Sequence, residues 1–215
     1  MKVKINGPIE TGTYRLPFDF GFCYHFGYSG STGGSGHRGS NGQQGFNGQN
    51  VNVMLNWLND SLVSLKINPS SGNKKAVVCN PAKAVVTIDL SGGNGGNGED
   101  GSQGDDAPCA KSGDELLSGE AGENGGNGGH GGHGGNATIF MPKSLMNHVD
   151  FIQITSRGGN GGHGGYGGKG GRSQMSEEDE SKLINVLFPD RGPRGSNGDE
   201  GHMGYAGNVD YVFID

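Results

Sequence analysis

Glycine stands at every third residue in five separate stretches of this 215-residue chain. The five glycine tracts are residues 27–50, 92–104, 122–135, 158–171 and 192–207. A merely glycine-rich linker would not keep one phase within each of five stretches. Because a period of three residues is the period of the polyproline II helix, the repeat predicts that each tract is an extended helix of this type, a polyglycine II helix.

The backbone of such a helix has no internal hydrogen bonds, so its N–H and C=O groups need partners elsewhere. A collagen triple helix would provide them, but collagen depends on frequent proline, and only Pro193 lies inside a tract. We therefore expect the tracts to pack side by side, with hydrogen bonds between neighbours. Such close backbones leave no room for a Cβ atom, which explains glycine at the facing positions.

Glycine occupies two of the three faces in some tracts and mostly one face in the others. The two-faced tracts are 92–104, 122–135 and 158–171, and the one-faced tracts are 27–50 and 192–207. Because a two-faced tract can accept neighbours on both glycine faces, we expect these tracts inside the bundle and the one-faced tracts at its edges.

Short apolar runs adjoin the tracts and have the alternation and β-branched content of strands. The predicted strands are Leu62–Ile67, Lys83–Leu90, Ala137–Met141, Val149–Thr155 and Val209–Ile214. The run Val51–Leu58 fits either a strand or a helix. If the tracts alternate in direction, the strands that adjoin them lie at one end of the bundle.

The predicted fold class is therefore mostly irregular and β. It consists of a bundle of about five polyglycine II helices, with short β-strands capping one end and long loops with one short α-helix at the other. The chain divides into an N-terminal extended or β segment, residues 1–26, and the capped bundle, residues 27–215.

Two long acidic connections, Asp105–Ala121 and Arg172–Arg191, are expected at the end opposite the strands. Ser176 and Asp179 resemble a capping box and predict a short helix at about 177–187. Long loops on a rigid scaffold usually carry recognition, although these could simply close the end of the bundle. The candidate partner-binding residues are Asp105, Asp106, Asp114, Glu115, Glu177, Glu178 and Asp179 of the loops, and Tyr166 of a tract.

The variable position of the two-faced tracts forms a row of polar side chains. His130 and His133 lie in one such row and His163 in another, and these three are weak candidates for metal ligands. Successive rungs are ~9.3 Å apart along one helix, so a metal site would need His163 on an adjacent helix. The alternatives are a solvated polar face and contact with a ligand or glycan.

Catalytic and cofactor motifs are missing from the sequence. It contains no Walker A loop, no G-x-S-x-G elbow and no H-E-x-x-H pair, so we expect neither an enzyme nor a cofactor. The net charge of −6 argues against a nucleic-acid partner. Three cysteines are too few for a disulfide framework, and whether Cys23 and Cys109 are bridged is left open.

The location of the protein follows from two further absences in the sequence. No apolar run reaches transmembrane length, and the start of the chain shows no secretory signal. We therefore expect no membrane insertion. The expected location is a virion or the outside of the cell after export by a non-classical route, with the cytoplasm as the alternative.

The G-G-x repeats of tracts 122–135 (GENGGNGGHGGHGG) and 158–171 (GGNGGHGGYGGKGG) resemble those of polyglycine II sandwich proteins. This group includes the receptor-binding adhesins at the tips of tail fibres of T-even-like phages, and the springtail antifreeze protein. Resemblance to the adhesins implies a bundle whose end loops bind a receptor on the bacterial outer membrane.

These observations together predict a non-enzymatic, adhesin-like recognition module. We expect it to bind a protein or glycan on a cell surface through its end loops. The alternative is a purely structural spacer or assembly domain, and an antifreeze-type or metal-binding protein ranks below both. The sequence leaves the oligomeric state open.

Overall fold

The computed structural model of the chain describes residues 23–37, 39–108, 117–173 and 191–214. Regular secondary structure in these residues comprises eight β-strands in two sheets and one 3-10 helix, Lys143–Phe151. The strands are β1 (Cys23–Gly27), β2 (Val51–Asn59), β3 (Leu62–Pro69), β4 (Lys75–Cys79), β5 (Val85–Asp89), β6 (Ala137–Pro142), β7 (Ile152–Thr155) and β8 (Val209–Ile214).

The two sheets differ in size and in strand direction. The smaller sheet has the order β1-β5-β7 and is parallel throughout. The larger has the order β4-β3-β2-β6-β8, with antiparallel pairs between β4, β3 and β2 and parallel pairs between β2, β6 and β8.

Both sheets contribute side chains to one hydrophobic core. In β2, Val51, Val53 and Leu55 are buried and alternate with exposed residues, so one face of the strand points into the protein. The smaller sheet contributes Val86 and Ile88 to the same core. Two apolar sheet faces therefore cover each other and exclude water from the residues between them.

The predicted fold class, a bundle of about five polyglycine II helices with a β cap, is wrong. The described residues form a sheet-rich fold with two sheets and a single helix, and the glycine tracts contain neither helix nor strand, apart from Gly27 at the end of β1. Glycine has no side chain to bury, so the core forms where the apolar runs lie. Those runs build two packed sheets rather than a cap.

The strand predictions differ from the structure in detail. The run Val51–Leu58, left between strand and helix, is strand β2. The run Val149–Thr155 is a strand only from Ile152, because its first residues belong to the 3-10 helix. The α-helix predicted at 177–187 lies outside the described residues.

The first glycine tract, residues 27–50, reverses direction in its middle. The N–H of Ser40 donates to the carbonyl of His37 at 3.1 Å. Gly39 has a φ of 73°, a left-handed conformation that favours glycine. The tract therefore gives two antiparallel segments, 28–36 and 41–50, so the described residues contain six glycine segments where five tracts were predicted.

The six segments lie in two layers that extend from the sheets. The first layer contains residues 28–36, 91–107 and 156–172, which follow β1, β5 and β7; the second contains residues 41–50, 119–136 and 192–208, which precede β2, β6 and β8. Backbone hydrogen bonds of about 2.8 Å join neighbours within and between the layers. The segments of each layer therefore lie side by side in the same order as the parallel strands that they adjoin.

The glycine positions mark where backbones touch. A Cβ atom on Gly129 would overlap the carbonyl oxygen of Gln43, and one on Gly162 would overlap that of Gly96. The N–H groups of these glycines donate across the layers, from Gly129 to Gly96 and from Gly162 to Gly129, both at 2.8 Å. A side chain here would separate the segments and break these hydrogen bonds.

Candidate functional site

The variable side chains of the tracts accept hydrogen bonds from the backbone of the neighbouring segment. In one repeat, Gly128 and Gly129 donate their N–H groups to backbone carbonyls, whereas Asn127 donates its N–H to Asn41 Oδ1 at 2.8 Å. The side chains that accept in this way are Asn41, Asn47, Asn50, Asn94, Asn97, Asp100, Asp106, Asn124, Asn127, His130, His133 and Asn136. We call them the acceptor side chains.

The acceptor side chains share one geometry. Asn and Asp carry their oxygen, and His its Nδ1, at the same number of bonds from the backbone. Gln44 and Gln103 occupy equivalent positions in their segments, but their longer side chains make no such bond to the described residues. The polar rows therefore complete the backbone hydrogen bonding between segments as well as facing solvent.

Two pairs of rings stand on the outer face of the second layer. The rings of His130 and His202 are stacked, with centroids 5.0 Å apart, and those of His133 and Tyr205 are stacked at 5.3 Å. His130 Nδ1 and His133 Nδ1 each accept the backbone N–H of the partner ring's residue, at 2.9 Å. Each neutral imidazole therefore carries its proton on Nε2, on the far side of the ring.

A trough of about 440 Å³ lies between these two rows of rings. One wall is formed by Asn47, His133 and Tyr205, and the other by Gln44, His130 and His202. Gly45, Gly131 and Gly132 line the same space, and their backbones form its floor. The two walls are three residues apart along each segment, which is at most about 11 Å.

The outer face continues from the second layer onto the larger sheet. Val51 and Val53 are buried, so the residues between and beyond them, Asn52 and Met54, face outward. Met54, Phe140 and Val212 are paired in register across β2, β6 and β8, in that order. One surface, three segments wide, therefore runs from polar and ring-bearing rows to a partly exposed apolar row. We call this surface the outer face.

The structure places three of the predicted partner-binding residues. Asp106 Oδ1 accepts the N–H of Arg172 at 2.7 Å, so Asp106 is an acceptor side chain of the first layer. The carbonyl of Asp105 accepts the N–H of Glu120 at 2.8 Å. Tyr166 also lies in the first layer and is 65% exposed. The others, Asp114, Glu115, Glu177, Glu178 and Asp179, lie outside the described residues.

The three candidate metal ligands lie on different layers. His130 and His133 belong to the second layer, whereas His163 belongs to the first and has its Nδ1 3.6 Å from Glu200 Oε1. Among the residues that the structure describes, no group of three or more His, Cys, Asp or Glu side chains is placed to hold a metal ion. The structure gives His130 and His133 a ring partner each instead.

Sequence reasoning did not select Gln44, Asn47, His202, Met203 or Tyr205, yet a signal for them exists. The side-chain bonds join residues at constant sequence separations, 86 between segments 41–50 and 119–136 and 72 between segments 119–136 and 192–208. Aligning the tracts at these offsets places His202 beside His130 and Tyr205 beside His133. The fold-back at residues 37–40 affects only the first of these offsets, because it divides the first tract and leaves 41–50 as the segment that pairs with 119–136.

Within the described part of the chain, no helix is long and apolar enough to cross a membrane.

Comparison with known proteins gives no match, whether with protein-family models, with curated proteins or with solved structures.

Proposed function

We propose that the chain is a non-enzymatic recognition module that binds a protein or glycan on a cell surface through its outer face. The observation that carries this proposal is the pair of ring rows on the second layer. Tyr205, which belongs to one of these rows, is 78% exposed, and Met203, which lies between the rows on the same segment, is 66% exposed. Exposed aromatic and Met side chains on a hydrogen-bonded framework are typical of binding surfaces.

The hydrogen bonding of the layers supports this proposal. Each ring on the outer face stands on backbone that is bonded to its neighbours, as in Gly131 donating to His202 and Gly134 donating to Tyr205, both at 2.8 Å. A backbone held in this way has little freedom left to lose when a partner binds, and this lowers the cost of association. A location on a virion, or outside the cell after non-classical export, belongs to the same proposal.

Retention of labelled protein on intact bacterial cells tests this function. The test variant combines His130→Asn, His133→Asn and Tyr205→Ala, because Asn keeps the acceptor role of His at these positions. The control is Met146→Ala, which removes an exposed side chain of the 3-10 helix, away from the ring rows. We expect the variant to lose at least about tenfold in affinity, roughly 1.4 kcal/mol, and the control to bind like the wild type.

Two outcomes count against the proposal. Equal retention of the variant and the wild type would exclude the outer face as the binding surface. Wild-type protein that binds no cell of a broad panel of species would exclude cell-surface recognition.

A second candidate is an assembly domain, and strand β8 favours it. Tyr211 and Phe213 are paired in register with Ile139 and Met141, so they share the face that those two residues bury in the core. Nevertheless they are 45% and 41% exposed, because β8 is the edge of the larger sheet. An exposed apolar edge strand is a template for pairing with another chain.

Sedimentation velocity separates this candidate from recognition. An assembly domain should self-associate as its concentration rises, and Phe213→Lys should return it to a monomer. The variant that combines His130→Asn, His133→Asn and Tyr205→Ala should associate like the wild type. A wild-type protein that stays monomeric at high concentration would argue against assembly of copies through β8.

A further inference from the structure

We propose that the trough between the two ring rows binds a neutral carbohydrate chain, an inference that rests on the proposed recognition function. The polar side chains that line the trough are Gln44, Asn47, His130, His133, His202 and Tyr205. They comprise two amides, three imidazoles and a phenol, and none of them is an Asp, Glu, Lys or Arg.

The part of the lining that the structure describes has no fixed charge, and this selects against ionic ligands. A trough that bound phosphate, sulfate or carboxylate groups would be expected to present Arg or Lys. Here the chain carries a net charge of −6, and Asp199 lies one repeat from His202. Both features repel an anion, whereas a neutral polyhydroxylated ligand meets no such repulsion.

The free polar groups of the trough match hydroxyl groups. Because His130 and His133 use Nδ1 for backbone bonds, each presents its Nε2–H as a donor. Asn47 uses Oδ1 to accept the N–H of His133 at 2.8 Å, so its NH₂ group is free to donate. Gln44 and the Tyr205 hydroxyl can both donate and accept, which suits the hydroxyl groups of a sugar.

The outward face of Tyr205 supplies the apolar half of the recognition, because stacking on His133 covers its other face. Sugar rings have faces of C–H groups, and these pack against the faces of aromatic side chains. Tyr205 is the outermost ring of its row, since residues 192–208 form the edge of the second layer, and it is 78% exposed. Met203 lines the trough on the same segment. The geometry therefore places a flat apolar surface beside the donors.

The shape of the trough favours a chain over a compact ligand. It crosses all three segments of the second layer, and among the described residues no further segment extends that layer beyond 41–50 or 192–208. The ends of the trough are therefore open. A protein partner would instead be expected to insert apolar anchors into a well-packed pocket, and Met203 is the only aliphatic side chain among the described residues of the lining.

Isothermal titration calorimetry with purified protein and soluble hexasaccharides tests this inference. The probes are cello-, laminari-, malto- and N-acetylchitohexaose, with the anionic hexamer of galacturonate as the charged comparison. We expect at least one neutral probe to bind and the anionic one to bind at least tenfold more weakly. The combined His133→Asn and Tyr205→Ala variant should lose at least tenfold in affinity, whereas Met146→Ala, an exposed position outside the trough, should bind like the wild type.

The contrary outcomes distinguish this inference from the proposed function. Wild-type protein that binds cells but none of the neutral probes, and whose binding is lost when the cells are treated with protease, would establish a protein partner and overturn the carbohydrate site. Neutral-probe binding that the His133→Asn and Tyr205→Ala variant retains would place the carbohydrate outside the trough. Absence of cell binding would overturn the proposed function even if a neutral probe bound the trough.

Discussion

At every third position of the glycine segments, the side chain determines whether a backbone N–H group of the neighbouring segment has a hydrogen-bond acceptor within the protein. Asn97 accepts the N–H of His163 at 3.0 Å, and Asp100 accepts that of Tyr166 at 2.7 Å. Gln103, the next residue in the same row, makes no such bond to the described residues. The choice among Asn, Asp, His and Gln at these positions therefore affects stability, although all four look alike as exposed polar residues.

Asn97→Ala is expected to destabilise the protein more than Gln103→Ala. The first change removes the acceptor for the N–H of His163, and the lost hydrogen bond is worth about 1 kcal/mol. The second removes a side chain without that role and should change the free energy of unfolding by less than about 0.5 kcal/mol. Urea denaturation of both variants measures the difference, and equal losses would contradict a structural role for the acceptor side chains.

Burial of the Cys79 thiol gives the stability of the fold a dependence on pH. Cys79 is 1% exposed, and burial raises the pKa of its thiol from the ordinary 9.0 to about 11. Above about pH 9 the unfolded chain releases this proton while the folded chain keeps it. The contribution is therefore fully present below pH 9 and is lost as the pH rises to about 11, by roughly 1 to 3 kcal/mol.

Cys79→Ala is expected to flatten the dependence on pH between 9 and 11, although it lowers stability at every pH by leaving a cavity. Burial also raises the pKa of Tyr24 and of Tyr28. The wild type and the Cys79→Ala variant are therefore both expected to lose some stability above pH 10. Urea denaturation at pH 8, 9, 10 and 10.5 compares the two slopes. Identical slopes would show that Cys79 does not carry the effect.

At the scale of the elements, sequence reasoning located most strands but not their assembly. The runs Ala137–Met141 and Val209–Ile214 are strands because alternation and β-branched content are local properties of the chain. The pairing of β6 with both β2 and β8 is not local, since it depends on which segments lie side by side. The 3-10 helix Lys143–Phe151 was missed for a similar reason, because its buried residues Leu145 and Phe151 belong to the core that the strands form together.

Adding a Cβ atom at a buried glycine of these segments is expected to destabilise the protein. In Gly162→Ala, the new methyl group would overlap the carbonyl oxygen of Gly96, and separating the backbones should cost about 3 kcal/mol. Gly34→Ala is the matched control, because its Cβ would meet only the flexible side chain of Gln43, at 3.1 Å. We expect a change of less than about 1 kcal/mol for Gly34→Ala.

Thermal unfolding followed by circular dichroism measures both glycine variants. A Gly162→Ala protein as stable as Gly34→Ala would contradict the close approach of segments 91–107 and 156–172. The same comparison tests the packing of neighbouring segments in the first layer independently of any ligand.

At the scale of the whole molecule, sheets and glycine layers form one continuous surface with changing chemistry. Towards the sheet the outer face presents Met54, Phe140 and Val212, and towards the glycine layer it presents the ring rows. The polar rows could be read from the sequence, since they repeat every third residue. Which row lies beside which could not, because it depends on the reversal at residues 37–40 and on the offsets between segments.

Hydroxyl-radical footprinting of the protein on cells that retain it tests recognition through the outer face most directly. Mass spectrometry reads the oxidation rate of each exposed side chain, free and bound. We expect several-fold slower oxidation of Met203 and Tyr205 on binding, with Met146 and Tyr166, which are also exposed, unchanged. Unchanged rates at Met203 and Tyr205, with protection confined to Asp105–Ala121 or Arg172–Arg191, would contradict the account.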